Sequence, residues 1–286
     1  MNDLISDITW MERSPDIQSL LLCNDSIQID SMDSGLEADV YRINTIDVSF
    51  VLKVWNKQSR PDISTQYHVL EAMYQRGISV SKPYGWGVDS DQNPVLLTSF
   101  DGVSINKLNK LKVTTIANIL CDIHTIPTDK IDTYILPQYN FVDYFFPAID
   151  SHLDIKELLI ELVATVNLAQ THLIHGDYHL GNIVESEEMY TVIDWTNVQL
   201  GDPRYDIAWS IILLWIYAGE RNSSIYRAVF LSHNNYTLEE TEKFEAIACL
   251  RFILLNRIAK VPKRENTIST VKTILSKNKY LNERLL

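Results

Sequence analysis

The strongest constraint on the fold is a change in residue pattern near Gly102. From Ile27 to about Phe100 the chain has short β-branched and aromatic runs separated by turn residues, namely IQI, DVYRI, VSFVLKVW and PVLLTSF. Runs of this length and composition predict a small antiparallel sheet. One helix interrupts them, because PDISTQYHVLEAMYQRG has apolar residues at helical spacing and ends at Gly77, a residue suited to a C-terminal cap.

After Gly102 the pattern is mostly helical. Apolar periodicity predicts helices at residues 112–124, 153–171, 205–218, 237–258 and 266–280. Thr237 and Glu240 have the spacing of a capping box at the start of the fourth helix. The exceptions are LIHGD, NIVES and MYTVIDW, which are short apolar runs around turns and predict a hairpin rather than a helix.

The expected fold class is therefore α+β with two lobes. We expect a small antiparallel, β-rich N-terminal lobe at residues 1–98, a hinge at 99–103 and a larger, mainly helical lobe at 104–286. Ligand sites favour the cleft between two such lobes. We therefore expect a ligand site in that cleft.

Composition limits the class of protein. With 286 residues and 46% apolar content, the chain can bury a sizeable core. The start, MNDLISDITW, lacks the features of a secretory signal, and the longest apolar run is about half of a membrane span. Cys23, Cys121 and Cys249 are scattered, which favours reduced thiols and a cytoplasmic location. A net charge of −12 repels nucleic acid and anionic membranes, so neither is an expected partner.

The stretch LIHGDYHLGNIV carries the polar cluster of this chain, with four polar side chains within eight positions. On a strand, His175, Asp177 and His179 at alternate positions could face one side and ligate zinc. Two glycines argue against a regular strand, and His172, the nearest further histidine, is expected on the preceding helix. A zinc hydrolase nevertheless stays open as an alternative, and bound zinc would reveal it.

A second interpretation is phosphoryl transfer. Asp177 and Asn182 lie five residues apart in a glycine-punctuated loop, and Asp194 ends the run YTVID. One carboxylate can orient the attacking hydroxyl, and an amide oxygen with another carboxylate can hold Mg²⁺ against the phosphates. The reaction also needs a fixed cation on the phosphates, and Lys53 lies in the middle of a predicted strand, in SFVLKVW.

These residues carry a family resemblance. LIHGDYHLGNIV, VIDW and LGDPRYDIAW together resemble the aminoglycoside phosphotransferase and choline kinase-like family, relatives of the protein kinases, from about residue 28 to 260. The resemblance implies a two-lobed protein-kinase-like fold with a nucleotide-binding N-terminal lobe, ATP (or GTP) and Mg²⁺ in the cleft, and the acceptor site over the helical lobe near Asp177. It also implies that Asp177 is the catalytic aspartate, that Asn182 and Asp194 are metal ligands, and that Lys53 binds phosphate.

The resemblance assigns supporting roles as well. It implies that His175 packs beneath the catalytic loop and that Asp206, in DPRYDIA, braces that loop by accepting backbone N–H bonds. The family also has a glutamate that pairs with the lysine, but alignment on VLEAM places Gln66 there. A glutamine cannot supply the charge that fixes an ammonium group. Either Glu71, one turn later, replaces it, or Lys53 is held more loosely.

Further nucleotide contacts follow from the same resemblance. Ser34 and Gly35, in SMDSGLEADVYRI, lie where the family has a phosphate-covering loop, although an ordinary hairpin loop is the alternative. Val51 and Ile193 would wall the adenine, with apolar core as their alternative role. The edge of the base would meet backbone groups of Ser99, Phe100 and Asp101.

The length of the segment after Asp194 restricts the acceptor. Protein kinases need a long activation segment there, whereas LGDPRYD begins here within seven residues. We therefore expect an ATP- and Mg²⁺-dependent small-molecule O-phosphotransferase, a kinase that moves the γ-phosphate to a hydroxyl of a small cationic molecule such as an aminoglycoside or amino alcohol. A non-catalytic kinase-like binding module is the alternative, to which Gln66 lends support. The sequence does not select the acceptor, ATP over GTP, or the oligomeric state.

Overall fold

The computed structural model describes residues 3–17, 27–32, 38–56, 59, 61–128, 136–233, 236–259, 261 and 263–286. The chain divides into two compact units. The first unit contains the described residues of Met1–Ser104 and Ile183–Thr196, and the second contains those of Ile105–Lys130, Ile135–Asn182 and Asn197–Leu286. The lobe boundaries expected from the sequence remain a prediction.

The first unit is built on a six-stranded antiparallel sheet with the strand order β1-β5-β6-β4-β3-β2. Its strands are β1 Thr9–Arg13, β2 Gln28–Ser31, β3 Ala38–Asn44, β4 Ser49–Trp55, β5 Pro83–Val88 and β6 Pro94–Ser99. The four predicted strands are confirmed as β2, β3, β4 and β6. The pattern missed β1, which is mostly exposed and lies at an edge, and β5, because glycine and proline in PYGWGV weaken its strand signal.

Strand β4 positions its side chains on two faces by simple alternation. Phe50 and Leu52 are buried in the apolar core of this unit, together with Ile43, Val95 and Leu97. The alternate residues, Val51 and Lys53, point to the opposite face and are half-buried. Lys53 is therefore presented on the face that the apolar core does not occupy.

Among the described residues of the same unit are the short helix α1 Asp3–Ser6 and the longer helix α2 Ile63–Gln75. The predicted helix is confirmed as α2, which begins at the cap Asp62, whose side chain accepts from the Thr65 N–H. It ends at Arg76, and Gly77 follows with a φ of 73°. The backbone N–H of Gly77 and Ile78 donate to the last-turn carbonyls, which completes the expected glycine-terminated cap.

A second, three-stranded sheet in the first unit contains the hairpin predicted for NIVES and MYTVIDW, whereas LIHGD lies outside it. Its order is β10-β9-β7, with β7 Val103–Ser104, β9 Ile183–Ser186 and β10 Met189–Val192, all paired antiparallel. Gly102, just before β7, has a φ of 134°, and a Cβ there would overlap the Glu185 carbonyl. Only glycine fits this approach. The hairpin brings the chain to Asp194, two residues beyond β10.

The second unit is mainly helical. Its helices are α3 Lys110–His124, α4 Phe141–Phe145, α5 Leu153–Thr165, α6 Pro203–Ala218, α7 Glu220–His233, α8 Leu238–Ile258 and α9 Thr267–Lys277. All five predicted helices are present, and the capping box of Thr237 and Glu240 is confirmed. The pattern missed α4, which is only five residues long, and α7, whose sequence ERNSSIYRAVFLSH is too polar for a clear apolar stripe.

One helix prediction was too long. Helix α5 ends at Thr165, Asn167 has a left-handed φ of 46°, and His172 begins strand β8, His172–Ile174. Placing His172 on the preceding helix was therefore wrong, because the polar segment NLAQT cannot continue the apolar stripe. Strand β8 pairs antiparallel with β11, Gln199–Gly201, and leads directly into the polar cluster.

Helix α6 forms the centre of the helical core. It is apolar on nearly all sides, and it packs against α7 and α8. Of the helices in the described residues, none has both the length and the apolarity that crossing a bilayer would need. The α+β class predicted from the sequence is confirmed.

Candidate active site

The polar cluster forms a tight loop between β8 and β9, at residues 175–182. Gly176 has a φ of 78°, and a Cβ there would lie 2.8 Å from the Asn197 carbonyl oxygen, so the turn requires glycine. Fully buried Asp206, in the first turn of α6, accepts from the backbone N–H of His175 at 2.9 Å and of Gly176 at 3.0 Å. Its Oδ2 also lies 3.1 Å from His124 Nε2. One carboxylate thus fixes the start of the loop.

His175 lies inside this loop rather than at its surface. It is fully buried, and its ring lies edge-on to Tyr178. Its Nδ1 accepts from the backbone N–H of Asp177 at 3.2 Å. The ring therefore helps to fix the backbone at the next position, which is the packing that the proposed structural role requires.

Asp177 is held by two neighbouring side chains. Its Oδ1 accepts from the indole N–H of Trp209 at 2.7 Å, and its Oδ2 lies 3.5 Å from Nε2 of His179. His179 Nδ1 accepts from the Gly181 N–H at 3.0 Å, so the ring proton of a neutral imidazole is on Nε2 and faces Asp177. The Asp177 side chain remains 29% exposed, so a ligand can reach it.

The electrostatic surroundings keep Asp177 ionised. Burial by itself would raise the pKa of this carboxyl, but the hydrogen bond from His179, the charge of Arg251 and the Trp209 hydrogen bond outweigh it. Together they hold the pKa of Asp177 well below its usual range. At neutral pH the group is a carboxylate, able to accept a hydrogen bond from a hydroxyl.

Asn182 is oriented by the same loop. Its side chain is buried, and Nδ2 donates to the backbone carbonyl of Asp177 at 2.9 Å. This bond distinguishes the two ends of the amide and directs Oδ1 away from the loop carbonyl. An amide oxygen held in this way is a suitable ligand for a hard cation.

Asp194 and Lys53 meet within the first unit. Lys53 Nζ lies 3.0 Å from Asp194 Oδ1, and the Thr196 hydroxyl donates to the same oxygen at 2.8 Å. Asp194 has a φ of 63°, in the left-handed region that aspartate tolerates better than most residues. The side chains of Lys53 and Asp194 are 19% and 41% exposed. The pair is therefore formed, and open to solvent on the aspartate side.

Gln66 and Glu71, the two candidates for the position of the glutamate expected to pair with Lys53, have different surroundings. Buried Gln66 donates from Nε2 to the Thr196 hydroxyl at 3.4 Å, which links it to Asp194 through Thr196. Glu71 instead lines a cavity of about 600 Å³ with Tyr67 and Lys82. Within the described part of the chain, no ion pair joins Glu71 to Lys53. The glutamine position thus reaches the Lys53 pair, although indirectly.

Backbone hydrogen bonds of the sheet exclude some of the predicted contacts to the nucleotide base. Val51 and Ile193 are half-buried, as an adenine wall would need. The N–H groups of Ser99 and Phe100 donate to the carbonyls of Lys82 and Ser49, at 2.9 and 3.1 Å, so neither can serve a base edge. The backbone groups of Asp101 and the carbonyls of Ser99 and Phe100 remain candidates for contacts to the edge of the base. The Asp101 carboxylate itself accepts from the Ser99 hydroxyl. Ser34 and Gly35 lie outside the described residues.

The zinc interpretation lacks its structural basis. Strand β8 ends at Ile174, so His175, Asp177 and His179 do not share a strand face. In the ranges that the structure describes, no three His, Cys, Asp or Glu side chains are grouped to hold a metal ion. Mg²⁺ differs in that it needs few protein ligands, and the oxygens of Asn182 and Asp194 are of the kind it prefers.

Sequence reasoning missed three residues that bond the candidate aspartates or the loop. Thr196 bonds Asp194, Trp209 bonds Asp177, and Arg251 donates to the Gly176 carbonyl at 3.0 Å. Trp209 follows Asp206 by three residues on one helix, and this spacing could have indicated that both face the loop. Arg251 lies 75 residues from Gly176 in the chain and carried no sequence signal.

Comparison with solved structures shows the fold. Amicoumacin kinase hAmiN, in complex with AMP-PNP, Ca²⁺ and Ami, superposes with a TM-score of 0.65 at 16% identity, covering 93% of this chain and 95% of that one. Choline kinase LicA from Streptococcus pneumoniae gives 0.63 at 15%, covering 91% and 95%. A thermostable mutant of aminoglycoside phosphotransferase APH(4)-Ia, in a ternary complex with AMP-PNP and hygromycin B, gives 0.63 at 13%, covering 91% and 95%. These likenesses confirm the kinase-like fold.

Sequence comparison is more selective. A search of curated proteins finds no match. The model of the phosphotransferase enzyme family, APH, matches residues 29–244. This range includes Lys53, Asp177, Asn182 and Asp194. That match spans well over half of the 286 residues. The chain therefore belongs to the APH phosphotransferase enzyme family.

Proposed function

We propose that this protein is an ATP- and Mg²⁺-dependent kinase that transfers the γ-phosphate to a hydroxyl of a small molecule. The observation that carries the proposal is the loop in which Asp177 is held as an oriented carboxylate and Asn182 is fixed on the Asp177 carbonyl. An acceptor-orienting group and a cation ligand are thereby set in one short segment. Family membership supports the same reaction class.

Asp177 would orient the attacking hydroxyl. With Oδ1 engaged by Trp209, Oδ2 is the oxygen that would accept the hydroxyl proton. Because the pKa of this carboxyl is depressed, it is a weak base, so its main contribution is to position and polarise the nucleophile. Phosphoryl transfer through a loose transition state needs little more than that.

Asn182 and Asp194 would hold Mg²⁺, and Lys53 would contact the nucleotide phosphates. When bound, the cation neutralises charge on the phosphate oxygens. Val51, Ile193 and the backbone near Asp101 would receive the base. AMP-PNP in two of the compared structures supports an adenine nucleotide, and GTP is a donor to be tested beside ATP. A nucleotide donor would place the activity in the cytoplasm.

The acceptor is proposed to be cationic. The chain has a net charge of −12, and the compared structures are named for amicoumacin, choline and hygromycin B. In the second unit, Tyr139 and Tyr144 stack at 4.6 Å beside exposed Asp143, and the Tyr144 hydroxyl donates to the side chain of Asn197. Asn197 abuts Gly176, so this aromatic and acidic group lies near the catalytic loop.

An ADP-release screen tests the proposal. Purified protein with Mg²⁺ and either ATP or GTP would be assayed against aminoglycosides, macrolides, amino alcohols, sugars and nucleosides. Asp177→Asn should lower turnover by about two to four orders of magnitude, because the loss removes an acid/base and positioning group. Nucleotide affinity should be retained, and unchanged turnover in this variant would reject the assignment.

A non-catalytic binding module is the second candidate, favoured by Gln66 in place of the family glutamate. In that case the protein would bind nucleotide or small molecules by calorimetry but release no ADP with any acceptor. Gln66→Glu offers a direct comparison. If the glutamine has disabled catalysis, this single change should raise ADP release above that of the wild type.

A further inference from the structure

Arg251 lies buried in α8 against the catalytic loop. Its guanidinium donates to the carbonyl of Gly176 and to the hydroxyl of Tyr205, both at 3.0 Å. The guanidinium carbon also lies 4.1 Å from the centre of the Trp209 ring and 4.7 Å from that of Phe145. A cation over an aromatic face is attracted by the ring quadrupole, more strongly when it is desolvated. Arg251 therefore fixes an indole ring and a loop carbonyl at once.

Trp209 carries this restraint to Asp177. Its ring is 3% exposed, and its N–H, which can only donate, is 2.7 Å from Asp177 Oδ1. A charge-assisted bond of this length is strong, and it selects one of the two carboxylate oxygens. The other oxygen, Oδ2, is the one on the side of His179. The carboxylate is thus fixed in rotation as well as in place.

We infer that Trp209 is a positioning residue that aims Oδ2 of Asp177 at the acceptor hydroxyl, with Arg251 holding both the indole ring and the adjoining loop backbone. This inference rests on the proposed function, because it assigns the reacting role to Oδ2. Its distinctive consequence is a split between kinetic constants. Loss of the indole N–H lets Asp177 rotate and slows turnover, whereas nucleotide binding depends on other groups.

Trp209→Phe tests the inference, because phenylalanine keeps an aromatic face for Arg251 and removes the donor, together with part of the ring volume that Trp215→Phe also removes. ADP release from Mg²⁺·ATP would be measured with water and with any acceptor found in the screen. We expect kcat to fall by about 10- to 100-fold, as for loss of a hydrogen bond to a charged group, and the KM for ATP to change by less than about threefold. Trp215→Phe, on the same helix against Lys277, is the matched control and should retain wild-type constants.

Two kinetic outcomes would overturn the inference. A kcat for Trp209→Phe equal to that of Trp215→Phe would show that the N–H bond does not position Asp177. Parallel losses of kcat, ATP affinity and melting temperature in Trp209→Phe would show a general structural role instead.

A spectroscopic measurement separates this inference from the proposed function. The indole N–H resonance of Trp209, identified by its absence in Trp209→Phe, should move upfield and exchange faster with solvent in Asp177→Ala. An unmoved resonance overturns the inference even if the enzyme is active. A wild type that releases no ADP with any acceptor would defeat the proposed function, and the resonance would still decide whether the indole holds Asp177.

Discussion

Asp177 and Asp194 carry the same side chain but are held in contrasting ways. Asp194 contacts a cation, Lys53, and a hydroxyl, Thr196, and its side chain is 41% exposed on a backbone with positive φ. Asp177 contacts an indole N–H and an imidazole. It lies in a loop whose backbone donates a hydrogen bond to the buried carboxylate of Asp206. A solvent-accessible ion pair can exchange its cation, whereas a carboxylate fixed by a buried donor keeps one direction. The proposed roles, a metal ligand at Asp194 and an orienting group at Asp177, would use this contrast.

The largest effect is expected from removing the Asp206 carboxylate, which accepts hydrogen bonds from the loop backbone just before Asp177. Asp206→Ala leaves two buried backbone N–H groups and His124 without their acceptor, so we expect the free energy of unfolding to fall by about 3–5 kcal/mol. Urea denaturation followed by circular dichroism measures this. Asp206→Asn, which keeps one acceptor oxygen, is the control and should lose less. A loss below about 1 kcal/mol for the alanine variant would contradict the support role.

The second-largest effect is expected from a substitution in the loop backbone at Gly176. Gly176→Ala forces a side chain into a φ of 78° and against the Asn197 carbonyl, and should cost about 1–3 kcal/mol of unfolding free energy. Turnover should fall as well, because Asp177 follows directly. Gly77→Ala is a matched control, since its φ is 73° but no atom lies within 4 Å of the added Cβ. Equal losses in both variants would place the cost in φ alone.

The exposed aspartate should respond more mildly. Thr196→Val removes the hydroxyl bond to Asp194 but leaves Lys53 in place, so we expect kcat/KM for ATP to fall by about 3- to 10-fold, equivalent to about 0.7–1.4 kcal/mol. Gln66→Leu, which removes only the longer bond to Thr196, should have a smaller effect. A larger loss for Gln66→Leu would mean that the glutamine acts by another route.

The smallest of these effects is expected from acid pH, which acts on stability through Asp177. Although burial raises it, the pKa of Asp177 is depressed overall by His179, Arg251 and Trp209. A depressed pKa contributes stability above the unfolded value of about 3.8, and that stability is lost as pH falls through the folded pKa. The difference in unfolding free energy between wild type and Asp177→Asn should shrink as the pH falls below about 4. A difference that grows on acidification would reverse the sign.

Sequence reasoning recovered those parts of the fold whose signal is local. Strands β3 and β4 and helices α2 and α9 have clear periodicity, whereas the edge strand β1 and the polar helix α7 depend on tertiary packing. In the site, the linear motifs predicted Asp177, Asn182 and Asp194, and the chain does bring Lys53 to Asp194. Those site roles remain predictions.

The rest of the site could not be predicted because it depends on contacts between distant segments. Arg251 reaches the loop across 75 residues, and Gln66 reaches Thr196 across 130. The engaged N–H groups of Ser99 and Phe100 likewise follow from strand pairing, which no local pattern records. Only the three-residue spacing of Asp206 and Trp209 left a trace that could have been used.

The bond from Asn182 to the Asp177 carbonyl closes a miniature ring in the chain. The ring ties the Asn182 side chain to the backbone that carries Asp177, so a displacement of either residue is passed to the other. A substitution at Asn182 is therefore expected to disturb Asp177 as well.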